Sequence, residues 1–85
     1  MAGIIGVNGL LTSDDLNTTL NSGSYMVPSH ASNNPTGDWS VLIVAGNGRD
    51  ALQIISPLQS VSILVRIKKD GGTFTDWKQI PTTSV

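Results

Sequence analysis

The chain has 85 residues, a net charge of −1, 13% charged residues, no glutamate, no cysteine and one histidine. One domain with a modest core fits this length, and neither a disulfide, a thiolate metal site nor a histidine-based zinc site can be built within one copy. The cation excess of nucleic-acid binders is missing, and the longest apolar stretch, Val41 to Ala45, is too short to span a membrane.

Residues 1–12 are predicted to be an extended lead-in segment, with Gly3, Gly6 and Gly9 spaced by three and neither a basic start nor a long apolar run. Ser13, as N-cap hydroxyl, followed by Asp14 and Asp15 marks a helix start, with Leu16 and Leu20 on one side. Asn17, Thr18 and Thr19 are poor helix formers, so one or two turns are expected. Ser24 to Val27 reads as a short strand stopped by Pro28. Ser29 to Asp38 is a polar loop rich in turn residues, among them Asn33, Asn34, Pro35 and Gly37.

Val41, Ile43 and Ala45 alternate with Ser40, Leu42 and Val44, which predicts a central strand apolar on both faces. It ends at Gly46-Asn47-Gly48, where Asn-Gly predicts a tight hairpin turn. Arg49 to Ser56 is the next strand, ended by Pro57. In the third run Val61, Ile63, Val65 and Ile67 share one face, with Ser62, Leu64, Arg66 and Lys68 on the other. Lys69 to Gly72 turns the chain, and Phe74 to Ile80 forms a last strand before Pro81. The fold class is mainly β: a small antiparallel meander with a short N-terminal helical turn. Leu16, Tyr25, Ile43, Ile63, Val65, Phe74 and Trp77 are the expected core.

The inventory for catalysis is thin, and the chain reads as a non-enzyme with no cofactor and no metal. Asp14 and Asp15 point about 100° apart on a helical turn, and as first-turn acids they suit its dipole. Gly46 to Asp50 lacks the lysine-hydroxyl ending of a phosphate loop. His30 lies in the polar loop, with no nucleophile arranged around it. Arg66, Lys68 and Lys69 cluster near one strand end; they read as a solvated face, with contact to an anion or acidic glycan as the alternative. Ser, Thr, Asn and Gly make up 33 residues, so the surface is polar but largely uncharged, which suits a saccharide. Trp39, directly after the polar loop, is either core, subunit interface or a platform for a sugar ring. Asn34, Asp38, Trp39 and Arg49 are the candidate ligand-binding residues.

Several motifs occur in a fixed order: Asp15-Leu16-Asn17-Thr18, Gly23-Ser24-Tyr25, Asn34-Pro35-Thr36-Gly37, Ile63-Leu64-Val65-Arg66, and Gly71-Gly72-Thr73-Phe74-Thr75-Asp76-Trp77-Lys78. In order and spacing this resembles the knob domain of bacteriophage tail fibres and R-type pyocin fibres, over residues 13–80. Phe74 stands where the family usually has a second tryptophan, and Leu64 near an expected aromatic, which removes two stacking rings. The resemblance implies a knob-like β domain over residues 13–85 and a preceding fibre region ending in residues 1–12. It further implies a homotrimer within a virion tail fibre or baseplate appendage and attachment to the bacterial host, with surface glycan as partner. Leu16, Tyr25, Trp77 and Arg66 would be structural positions, and no catalytic residue is implied. For a trimer, Ile4, Ile5, Val7 and Leu64 are the expected interface residues. Two other functions compete: a purely architectural fibre domain, and a monomeric carbohydrate-binding module attached to a hydrolase.

Overall fold

The computed structural model describes residues 7–9 and 15–83. Six strands form one sheet in chain order: β1 (Val7–Gly9), β2 (Asn21–Val27), β3 (Ser40–Asn47), β4 (Ala51–Pro57), β5 (Ile63–Lys68) and β6 (Lys78–Ile80). β3 to β6 make the antiparallel meander expected over about residues 39–80, and β2 extends it, antiparallel to β3. β1 lies parallel to β2, so part of the lead-in segment belongs to the same sheet. Ile4, Ile5 and Ser13 lie outside the described residues, as does the side chain of Val7.

The helical turn is a single 3-10 turn, Leu16–Thr18, capped by Asp15 rather than Ser13. The Asp15 carboxylate accepts the Asn17 N–H at 2.8 Å. Its carbonyl accepts the hydroxyls of Thr18 and Thr19 at 2.9 and 3.1 Å. These side-chain bonds to the backbone compete with a continuing helix, which accounts for its length. The β3–β4 connection also differs from a two-residue Asn-Gly turn. The last strand pair is Gly46 with Ala51, and only Gly48 takes positive φ, at 92°. Asn47 instead uses its side-chain oxygen to accept the N–H groups of Arg49 and Asp50, at 2.9 and 2.8 Å. The last strand is shorter than expected. The Phe74 backbone pairs with β5 through one isolated bridge to Lys68, which leaves residues 72–77 as a loop.

The sheet has two unlike faces. On the inner face Val27, Leu42, Val44, Ala51 and Ile55 are buried, with Leu16 and Ala31 closing over them. Tyr25, Leu64, Phe74 and Trp77 pack at the margin of this core, half-buried. The outer face carries Ile43, Ile54 and Val65, side by side by register, flanked by Ala45, Leu52 and Ile67 in the next row. Ile43 is 51% exposed and Ile67 48%, while Ile63 and Val65 are half-buried.

The expected core is therefore corrected at Ile43, Ile63 and Val65. The cause is the side on which the connections fold. Leu16, Ala31, Phe74 and Trp77 all lie on connections between strands, and these cover the face that Leu42, Ile55 and Arg66 share. Leu64, expected at an oligomer interface, belongs to that covered face and is half-buried against the protomer core.

Candidate functional site

Arg66 sits mid-strand on the inner face, where alternation from Leu64 places it. It is 6% exposed. Phe74 and Trp77, delivered by the 72–77 loop, enclose its guanidinium, with ring centres at 3.8 and 4.4 Å from Cζ. Such contacts favour a cation over an aromatic face and help offset its lost hydration. Arg66 Nε donates to Gln53 Oε1 at 2.8 Å. Gln53 is itself wholly buried and donates through Nε2 to the carbonyls of Leu16 and Thr19, at 2.7 and 2.8 Å. A chain of hydrogen bonds thus runs from the 3-10 turn through β4 to β5. Burial pushes the Arg66 guanidinium down to about 10, with the charge of Asp15 pulling the other way, so Arg66 remains a cation at neutral pH.

An open cleft of about 510 Å³ lies beside this cluster, lined by Arg66, Lys68, Phe74, Trp77 and polar side chains that include Asn17 and Asn33. Asn33 adopts a left-handed φ of 64°, which asparagine tolerates better than most residues. Its amide donates to the Asp15 carboxylate at 2.7 Å, and Leu16 N–H donates to the Ser32 carbonyl at 3.0 Å. Those two bonds fix one wall of the cleft to the 3-10 turn. The other wall is the 72–77 loop, held where Thr75 N–H donates to the Ile67 carbonyl at 2.8 Å. Aromatic rings and neutral amides at one concave surface can bind a sugar ring: apolar C–H faces on the rings, hydroxyls on the amides.

Of the four candidate ligand-binding residues, Asn34 lines the cleft, but its polar atoms are occupied. Nδ2 donates to the carbonyls of Pro28 and Asp38, both at 3.0 Å, and Oδ1 accepts from the Thr36 N–H and hydroxyl. Asn34 is a brace for the 28–38 loop. Asp38 contributes its carbonyl to the same brace, accepting from Asn34, Thr36 and Ser40. Trp39 is 53% exposed at the start of β3 and bonded through its carbonyl to the N–H of Leu58, itself 58% exposed. Arg49 lies beyond the far end of the eight-residue β3, about 27 Å from Trp39 by strand rise, near Gly71. Trp39 and Arg49 do not meet at one site.

Gln53, Asn17 and Asn33 carry this region and were not anticipated. Gln53 stands in a strand apolar on both sides, so no periodicity shows which way it points. The sequence signal for the buried Arg66 was the conjunction of Arg66 with Phe74 and Trp77 in the ordered motifs, which alternation alone overrode. Among the described residues no group of three or more His, Cys, Asp or Glu is gathered as a metal site would require. No family model, curated protein or solved structure matches the chain.

Proposed function

We propose that this chain is a receptor-binding domain of a phage-type tail fibre, which assembles from copies of itself, as a homotrimer, and attaches to glycan on the bacterial surface without catalysing a reaction. The observation that carries this reading is the placing of two surfaces on opposite faces of one sheet. The outer face presents Ile43, Ile54, Val65 and Ile67 to the outside, where a neighbouring copy can cover them. Contiguous exposed apolar residues on one sheet face are a usual mark of an interaction surface. The cleft with Phe74 and Trp77 lies on the inner side, so association through the outer face leaves it accessible.

The test is a light-scattering mass at micromolar concentration, followed by mixing the labelled chain with bacterial cells. Trimers that decorate cells are the expected result. A monomer that decorates nothing overturns the proposal. Correct trimers with no decoration favour the architectural fibre domain instead. A monomer with a defined sugar affinity favours the carbohydrate-binding module.

A further inference from the structure

Buried cations in folded proteins are paired or fully hydrogen-bonded, because desolvation of an unpaired charge costs several kcal/mol on the order-of-magnitude scale. Arg66 departs from that pattern. Its guanidinium carries five N–H donors. Nε donates to Gln53, and Nη2 is enclosed with no hydrogen-bond partner among the described residues. Asp15, whose charge acts on Arg66, accepts the Asn17 N–H and the Asn33 amide at Oδ1, and no hydrogen bond joins its carboxylate to the guanidinium. The two rings at 3.8 and 4.4 Å satisfy the faces of the guanidinium but not its edge. Lys68, two residues on along the same face, adds a second cation to the cleft wall, against a single lining acid, Asp76.

We infer that the cleft binds an anionic group, a carboxylate or a phosphate carried on a saccharide, with Arg66 and Lys68 as its charge partners and Trp77 beneath the sugar. The saccharide part rests on the attachment reading above; the anion part rests on Arg66 alone. A carboxylate or phosphate suits a guanidinium because an ionised acceptor makes a shorter and stronger hydrogen bond to its N–H groups than a neutral one. Inorganic phosphate supplies the same chemistry without a sugar ring, so comparing it with a sugar acid separates the two contributions.

The experiment is an amide NMR titration of the whole chain with sodium glucuronate, glucose and inorganic phosphate, at matched ionic strength. Glucuronate is expected to shift residues 66–68 and 72–77 in a saturable manner, and glucose to leave them in place. Lys68→Gln should weaken glucuronate binding about two- to five-fold, the range of an exposed charge contact. Arg66→Gln, with its fold checked in the same spectra, should weaken it at least about ten-fold. Competition by phosphate would make charge the main determinant, and its absence would make the ring contact essential; either supports the inference. Equal binding of glucose, shifts scattered over the surface, or an unchanged affinity in Lys68→Gln would overturn it. No glucuronate binding by a chain that still decorates cells removes this inference and leaves the attachment reading standing. Glucuronate binding without cell decoration does the reverse.

Discussion

Gln53, on β4, ties the segment around the 3-10 turn to Arg66 on β5. Its amide holds two carbonyls of the segment around the 3-10 turn and its oxygen holds Arg66. Gln53→Leu would leave the Thr19 carbonyl and Arg66 Nε without these partners and the Leu16 carbonyl with the Thr19 N–H alone, so it should cost about 2–3 kcal/mol, read from the urea midpoint. A loss below about 1 kcal/mol would show that water replaces the glutamine. The charge on Arg66 yields a second expectation. Burial pushes its pKa down to about 10 on folding. Below about pH 10 both folded and unfolded chains hold this proton, so Arg66 adds no slope of stability with pH. Above it the folded chain releases the proton first, and the contribution of this group turns upward with pH. The difference in unfolding free energy between the parent and Arg66→Met should therefore stay flat between about pH 6 and 9. A slope in that window would mean that another titrating group is coupled to the guanidinium.

Among the elements, the β3–β4 hairpin is the most tightly specified. Gly46 has no room for a side chain: an added Cβ would run into the carbonyl of Leu20, the carbonyl of Asp50 at 2.8 Å and the Ala51 side chain at 2.9 Å. Two of these neighbours are backbone and cannot rotate away. Gly46→Ala should thus destabilise by about 1–3 kcal/mol, measurable as a shift in thermal midpoint. The strand order and the positions of the turns were legible in the sequence, because alternation and the Asn-Gly and Gly-Gly pairs are local signals. The inner structure of the turns was not. Asn47 as a side-chain acceptor, and Asp15 rather than Ser13 as cap, depend on hydrogen bonds for which the sequence offers several equivalent donors and acceptors. The identity of the covered face was also beyond local reading. Ile63, Val65 and Ile67 have the stronger apolar alternation, yet the connections lie over Leu64 and Arg66. Alternation reports that a face is to be covered, not whether its cover comes from the same chain.

At the scale of the whole molecule, this distinction separates two substitutions that the sequence alone would have ranked in the opposite way. Ile43→Asp places a charge on the outer face, where the protomer leaves the residue 51% exposed. It should lower the light-scattering mass to that of a monomer while shifting the urea midpoint little. Leu64→Asp places the charge against the core and should instead cost about 2 kcal/mol or more of protomer stability. Unchanged mass for Ile43→Asp would count against association through this face. The cleft was partly legible: the basic cluster and the aromatic loop were visible in the chain, but their meeting around one guanidinium required the register of β4, β5 and β6. The placing of the cleft and the outer apolar face on opposite sides of the sheet has a consequence for avidity. Copies associated through the outer face, as proposed, would each present a cleft that faces away from its neighbours, so a grip on a dense surface would grow with valence. Linked sites can gain about 10²- to 10⁴-fold in this way. Each cleft could still release alone, which would let such an assembly move across a surface before it commits.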